Sequence, residues 1–457
     1  MSIPTPIRVA VIGGRPAEGW HARVVESVRA VAEAALIDDA ANAHVVIDLD
    51  GASVQLKAAF GVWRYGFGDG AASAGGAKGT LARLYRVTDD PARAIVLHEG
   101  WYRAPSRDAW GTRSIGERVA PWCARVLRQI ACVRGEVLDS APQHTVGCID
   151  ATPPHDGGGW TNAAADIARE WFTRQRWTIG IVSTSIEEVL HRGALPEPSW
   201  LNDQPADRFF ADPFPIAIDD RGVRLLVEEY RFGSRRKLLT QLDVSRDGAL
   251  IAARRADGLP LHASYPFVLR PDRSSRELLC VPETFREARV AAYEKNGNGR
   301  WRVCAELLTG FPAVDPTLVQ HDGRWWMFCT KQGDEDQTDL HMFFADDWRG
   351  PWTPHMLNPV KSDARSSRPA GRLIEIDGTL YRPAQNCARR YGAGITINRV
   401  VELTPTAFRE EPAMSLEPAQ NSRWPHGLHT INGIGSMTVV DGLRIEWRIG
   451  PARFARI

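Results

Sequence analysis

The carboxylates that could do chemistry in this chain stand inside a recurring grammar. Asp212 and Asp315 each precede a proline, in Ala211-Asp212-Pro213-Phe214 and Val314-Asp315-Pro316-Thr317, and Tyr265 does the same in Ser264-Tyr265-Pro266-Phe267. Arg368-Pro369-Ala370-Gly371 and Leu428-His429-Thr430-Ile431-Asn432 open two further segments of this kind. Acids also close the strands that follow, in Glu228-Glu229-Tyr230 and Pro282-Glu283-Thr284. Paired carboxylates serve general acid–base and nucleophilic catalysis, and the making or breaking of a glycosidic bond is one reaction that uses an ionised carboxylate with a proton donor or acceptor several ångströms away. On that logic Asp212 is expected to be the ionised base or nucleophile, Glu283 the acid and Glu229 its reserve. Asp315 is expected to orient the sugar or tune a neighbouring carboxyl, because two close carboxylates push one pKa upward. The competing reading makes the Asp-Pro pairs turn-formers at strand starts.

Cations and amides accompany these acids. His262, Lys331, Arg368, Arg382, Gln385 and His429 give the same region an electropositive side, with Tyr265 beside them as a further substrate-binding candidate. Arginine grips phosphate or carboxylate bidentately, so the expected donor is an anionic sugar, a sugar phosphate or a nucleotide sugar. Each arginine could instead pair with Asp315 or Glu283 in a buried network.

The elements that must position these residues repeat. Counted from Asp212, the openings at Tyr265, Asp315, Arg368 and His429 follow at steps of 53, 50, 53 and 61 residues. Each unit runs through an apolar strand, turns and returns on a second apolar strand. The turns are read at Asp220-Arg221-Gly222, Asp322-Gly323, Asp377-Gly378 and Asp441-Gly442, since glycine accepts the positive φ of a tight hairpin. A period near fifty residues holds one four-stranded blade, and five units predict a five-bladed β-propeller over 177–457. A β-sandwich with similar hairpins is the alternative. In a propeller, equivalent openings converge on one mouth of the central channel, so Asp212, Tyr265, Asp315, Arg368 and His429 are expected to form a ring.

Ahead of the repeats, Ile7–Ile12 reads as a buried strand, residues 18–34 as an amphipathic helix and His44–Leu49 as a second strand. This βαβ opening predicts a Rossmann-like α/β domain over 1–110, followed by a helical bridge over 111–176 with a loop at Pro153–Gly159, and a mixed fold class for the whole chain. Gly13-Gly14 lacks the remaining glycines of a dinucleotide fingerprint and reads as a tight turn. The formal charge of +1 over 457 residues gives no bulk attraction to nucleic acid or membrane. Absence of a long apolar run predicts no integral membrane segment and a cytoplasmic protein, and seven unpaired-looking cysteines agree with a reducing compartment. No metal cluster and no cofactor are expected from spacing.

Three resemblances extend this reading. Phe60-Gly61-Val62-Trp63 together with Gly68-Asp69 resembles the N-terminal domain of formyltransferase-like proteins, but the His-Pro-Ser-Leu-type loop of a working formyltransferase is missing. That implies a non-catalytic or repurposed relative, with formyl transfer a minor alternative. The Asp-Pro openings look like those of five-bladed glycosidases of the arabinanase, xylosidase and fructosidase kind, which cleave with axial carboxylates. More closely, Phe210–Phe214, Glu228–Tyr230, His262–Phe267, Val281–Thr284, Val314–Thr317, Arg368–Gly371, Tyr381–Gln385 and His429-Thr430 resemble another propeller family. This is the domain found N-terminally in plant glucosamine inositolphosphorylceramide transferases and in bacterial proteins that accompany surface-polysaccharide enzymes. The resemblance covers about 177–457. It implies a carbohydrate-active enzyme of surface-polysaccharide or glycolipid metabolism, with a glycan or glycolipid acceptor. A furanoside hydrolase and a non-catalytic sugar-binding propeller are the competing expectations, since fold does not fix function.

Overall fold

The computed structural model describes residues 6–14, 19–51, 56–69, 79–89, 93–103, 115–133, 143–145, 173–271 and 278–447. The Pro153–Gly159 loop and most of the expected bridge lie outside them. The chain divides into two compact units, one of residues 1–159, 356–363 and 404–408, the other of 160–355, 364–403 and 409–457.

The first unit carries a seven-stranded sheet. Strand β1 (Ile7–Ile12) leads through helix α1 (Gly19–Arg29) to β2 (Ala34–Leu36), and β3 (Val45–Asp48) and β4 (Val62–Asp69) extend the parallel part. β5 (Gly79–Val87), β6 (Arg93–Arg103) and β7 (Gln143–Thr145) then pair antiparallel. Helices α2 (Ile115–Val119) and α3 (Trp122–Val133), expected as part of a bridge, supply Ile115, Val119, Trp122 and Leu127 to this unit's own core, against Trp20, Trp63 and Tyr65. The Rossmann-like expectation needs correction. Parallel strands normally require helical crossovers. Among the described residues only the β1-to-β2 connection has one, and half of the sheet is an antiparallel meander. The formyltransferase-like reading loses its topology with it. The Gly13-Gly14 turn is closed internally, since the Gly14 N–H donates to Asp50 Oδ1 at 2.9 Å.

The second unit is the expected five-bladed propeller, with five sheets each built on four sequential or closing strands. Blade one is β10 (Arg208–Asp219), β11 (Gly222–Arg231), β12 (Arg236–Ser245) and β13 (Leu250–Arg255). Blade two is β14 (Ser264–Leu269), β15 (Leu279–Glu283), β16 (Arg289–Lys295) and β17 (Trp301–Thr309). Blade three is β18 (Ala313–His321), β19 (Arg324–Lys331), β20 (Asp339–Ala345) and β21 (Thr353–Pro354), after which comes the short β22 (Lys361–Ser362). Blade four is β23 (Ile374–Ile376), β24 (Thr379–Asn386), β25 (Gly394–Leu403) and β26 (Phe408–Leu416). Blade five closes the ring. Its inner strands β27 (Ile431–Ile434) and β28 (Met437–Trp447) pair with β8 (Thr173–Val182), which in turn pairs with β9 (Ser199–Trp200) beyond helix α4 (Ile186–Arg192). The ten-residue register between β28 and β8 ties the two ends of the repeat array, so that blade five is built from both and the ring closes.

Apolar faces of neighbouring blades form the core. Phe214 and Leu226 of blade one meet Phe267 and Val281 of blade two and Leu318 and Met327 of blade three, while Ile179, Ile181 and Val439 of blade five meet Val223 and Leu225 of blade one. Asp322-Gly323 and Asp377-Gly378 are hairpin turns as expected, with φ of 48° and 75° in the first and 49° and 74° in the second. The fifth turn was misplaced. β27 and β28 turn at Gly435, and Asp441-Gly442 lies inside β28, with Asp441 fully buried.

Candidate active site

Three inner strands carry the same irregularity at the same place. The ladder shifts register between Ala211 and Phe214, between Ser264 and Phe267, and between Val314 and Thr317. Within these bulges Asp212, Tyr265 and Asp315 take φ of 52°, 41° and 51°, in the left-handed region that non-glycine residues avoid. Such a conformation costs on the order of 1–3 kcal/mol per residue and re-aims the side chain. The Asp-Pro pairs are therefore bulges within strands rather than turns before them.

The re-aimed side chains meet. The Thr430 hydroxyl donates to Asp212 Oδ1 at 2.7 Å, and the Asp212 N–H donates to Asp441 Oδ2 at 3.1 Å. His429 stands between the two acids, Nδ1 at 2.5 Å from Asp441 Oδ2 and Nε2 at 3.6 Å from Asp212 Oδ1. Burial alone would lower His429, but Asp441 and then Asp212 raise it to about 9, so it is an imidazolium at neutral pH. Trp177 stacks on its ring, centroids 3.9 Å apart, and Tyr391 meets it edge-on at 5.3 Å. Asp212, His429 and Asp441 offer ligand atoms within 4.8 Å of one another, so these three could also hold a cation, although a protonated His429 already supplies positive charge there.

Across the mouth, Glu283 accepts from the Ser264 hydroxyl at 2.7 Å and from the Asp315 N–H at 2.9 Å. Burial pushes its carboxyl up, but Lys237, Arg368 and these hydrogen bonds outweigh it and hold Glu283 below the usual range. Asp315 Oδ2 receives Arg368 Nε at 2.7 Å and Gln385 Nε2 at 2.9 Å. Two donors converging on one oxygen mark a buried ion pair, and Asp315, with Tyr391 and Asp336, keeps Arg368 charged against its burial. Tyr265 crosses the axis: the Gly371 N–H donates to its hydroxyl at 2.8 Å, and the hydroxyl shares a hydrogen bond with Thr317 Oγ1 at 2.9 Å.

The acid that completes the cluster is Glu228. Successive residues of a strand face opposite sides, and Glu229 points away, bound by Arg208 Nη1 at 2.8 Å, Arg231 Nε at 2.6 Å and the Thr240 hydroxyl at 2.6 Å. Glu228 faces Lys237 Nζ at 3.4 Å. Burial pushes its carboxyl up to about 7, the charges of Asp212 and Glu283 adding to burial and Lys237 opposing it. Lys237, one of only six lysines in the chain, is kept protonated despite burial by Glu228, Glu283 and Asp212. Asp212 is itself raised by burial, Asp441 adding and His429 opposing.

The ring of Asp212, Tyr265, Asp315, Arg368 and His429 is thus assembled, with Glu283 and Gln385 in it. Four other candidates are not brought in. Glu229 lies on the other face, and Arg382 is consumed by a bidentate pair with Glu410 at 2.6 and 2.8 Å and by the Ser366 and Ser367 carbonyls. Lys331 is exposed over the Phe311 ring, and the contact described for His262 is its backbone N–H on the Lys237 carbonyl. Glu228, Lys237, Asp441, Trp177 and Tyr391 were missed. For Asp441 the available signal was an acid inside the apolar run Met437–Leu443, whereas alternation puts Glu228 and Glu229 on opposite faces without saying which one is turned to the cluster.

No helix among the described residues is long and apolar enough to cross a membrane. Residues 255–433 match the family model of the glucosamine inositolphosphorylceramide transferase 1 N-terminal region, a span that includes Tyr265, Glu283, Asp315, Arg368, Gln385 and His429. Among curated relatives, glucosamine inositolphosphorylceramide transferase 1 of Oryza sativa subsp. japonica is 31% identical over 168 residues, covering 35% of this chain and 22% of that protein. The protein of the same name from Arabidopsis thaliana is 27% identical over 244 residues, covering 49% and 30%. The chain therefore spans less than a third of the length of these relatives. Similar solved structures include a GH43 β-1,3-galactosidase with galactodeoxynojirimycin, at TM-score 0.35 and 11% identity over 48% of this chain and 79% of that one. An exo-β-1,3-galactanase from Phanerochaete chrysosporium with galactose gives TM-score 0.32 and 11% identity over 44% and 48%.

Proposed function

We propose that the propeller is the active unit of a carbohydrate-active enzyme that makes or breaks a glycosidic bond at the ring of Asp212, Glu228, Glu283 and Asp315. The observation that carries this reading is a pair of buried carboxyls in different surroundings, Glu228 with Lys237 Nζ at 3.4 Å and Glu283 with two hydrogen-bond donors on it. Burial raises Glu228 to about 7, so about half of it holds a proton at neutral pH, while Lys237, Arg368 and two hydrogen bonds hold Glu283 below the usual carboxylate range. A retained proton suits a general acid for the glycosidic oxygen, and an ionised partner suits stabilisation of the developing positive sugar ring. This differs from the expected roles, in which Glu283 was the acid. Asp212, beside the imidazolium of His429, is the base or nucleophile in the same proposal. Asp315 holds Arg368 and tunes Glu283 through its N–H.

The expected anionic donor is not supported by these contacts. Arg368 is committed to Asp315 and lies 3.8 Å from Asp336, and Arg382 to Glu410, so a sugar ring without charge suits the acidic mouth better. The plant relatives are named as transferases, which supports transfer to a glycan or glycolipid acceptor over hydrolysis to water. The test incubates wild type and Asp212→Asn with glycoside and nucleotide-sugar panels, following melting temperature and products. Loss of turnover by 10²-fold or more with the ligand-induced shift retained supports the assignment. A shift in both proteins with turnover in neither would make the propeller a sugar-binding module instead.

A further inference from the structure

The inner strands run from the carboxylate ring toward the other end of the channel, and that end carries two guanidinium groups. Arg270 follows β14 directly and lies five residues beyond Tyr265, and Arg372 lies four beyond Arg368. At about 3.3 Å per residue of extended chain, Arg270 and Arg372 lie at most roughly 13–17 Å along the chain from Tyr265 and Arg368. Arg270 reaches from blade two to blade one, its Nη2 donating to the Ile216 carbonyl at 2.6 Å. Arg372 reaches from blade four to blade two, its Nη2 donating to the Val268 carbonyl at 2.6 Å, and so crosses the axis past blade three. Its backbone is fixed on both sides. The Arg372 N–H donates to Asn432 Oδ1 at 2.9 Å, and the preceding Gly371, at φ +127°, passes so close to the Ile431 carbonyl that a Cβ would come within 2.0 Å.

Neither guanidinium has a carboxylate partner among the described residues, whereas Arg208, Arg368 and Arg382 in the same propeller are all paired with acids. A guanidinium has five N–H donors, and among the described residues each of the two makes one hydrogen bond. Burial, and after it the charge of Arg270, lower Arg372 to about 10. We propose that Arg270 and Arg372 form an oxyanion site at the end of the channel opposite the carboxylates, taking phosphate or the phosphoryl group of a larger ligand. Two planar forks fixed by backbone carbonyls suit the tetrahedral, multiply charged oxygens of phosphate better than a monovalent halide. The site stands apart from the proposed reaction and does not depend on it.

The test is a ³¹P NMR titration of the intact chain with inorganic phosphate and, separately, with glucose 6-phosphate, at constant ionic strength set with chloride. Saturable line broadening is expected for wild type, with affinity at least tenfold weaker in Arg270→Gln and in Arg372→Gln. Tighter binding of the monoester would identify the phosphoryl group of a larger ligand as the source, and tighter binding of inorganic phosphate the free ion. If Arg372→Gln fails to fold by circular dichroism, Arg270→Gln, which spans no axis, carries the comparison. Absence of saturable broadening with wild type, or unchanged affinity in the folded variants, overturns the proposal.

Discussion

Replacing Glu228 by glutamine should flatten the fall in stability of the propeller between mildly acid and mildly alkaline pH. The carboxyl titrates at 4.5 when unperturbed and near 7 in the folded chain. Between those values the folded state holds a proton that the unfolded state has released, so stability falls as pH rises through the window. The contribution is fully present below about 4.5 and lost above about 7. At about 1.36 kcal/mol per pKa unit the loss is about 3 kcal/mol, an order-of-magnitude figure for a nearly buried group. Glutamine keeps the shape and cannot titrate. Urea unfolding at about pH 5 and about pH 8, followed by tryptophan fluorescence, gives the slope for each protein. His429, Asp336 and other shifted groups are common to both proteins, so the difference reads Glu228 together with its coupling to Lys237, Asp212 and Glu283. Glu229→Gln is the control, because that carboxylate is tied to Arg208, Arg231 and Thr240 on the other face. A Glu228→Gln protein with the wild-type slope would refute the reasoning, and so would a slope lost in Glu229→Gln.

Asp441→Asn should lower His429, whose raised value of about 9 gives stability that is present below 6.5 and lost as pH rises through about 9; ¹⁵N chemical shifts of the imidazole read this directly. An unchanged titration would contradict the role of Asp441. Gly371→Ala forces a Cβ to within 2.0 Å of the Ile431 carbonyl at positive φ, so its melting temperature should drop by several degrees; a change under about 1 °C would count against the close approach. Arg382→Met should cost about 3 kcal/mol by leaving Glu410 without its bidentate partner, yet leave sugar-induced stabilisation intact, which calorimetry and a sugar titration together decide.

What sequence shows and hides here has physical causes. Asp212, Tyr265 and Asp315 were legible because each bulge needs the same device, a polar or aromatic residue at positive φ ahead of proline, and the device recurs at a fixed step. Glu228 was hidden by adjacency. In Glu228-Glu229 only the pairing register says which carboxylate faces the axis, and a bulge on the partner strand shifts that register by a residue. Asp441 was hidden by turn chemistry. Asp-Gly is a strong hairpin signal, but Gly435 makes the turn and Asp441 is spent inside β28 on His429, Thr430 and Asp212. Lys237, Trp177 and Tyr391 occupy no repeated position, and only the folded ring brings them together. In the first unit β1, α1 and β3 were visible as apolar runs. The antiparallel half was not, because a strand's hydrophobic period says nothing about the direction of its neighbour.

The central claim is that Glu228 delivers the proton at a sugar-processing site, and leaving-group dependence tests it most directly. Wild type and Glu228→Gln would be compared on one glycoside presented with a poor, alkoxide-like leaving group and with a good one that departs without protonation. The account predicts a rate loss of 10²-fold or more with the poor leaving group and near-wild-type turnover with the good one, the wild-type rate falling on an alkaline limb near the Glu228 value of about 7. Equal losses on both substrates, or no loss on either, would contradict it.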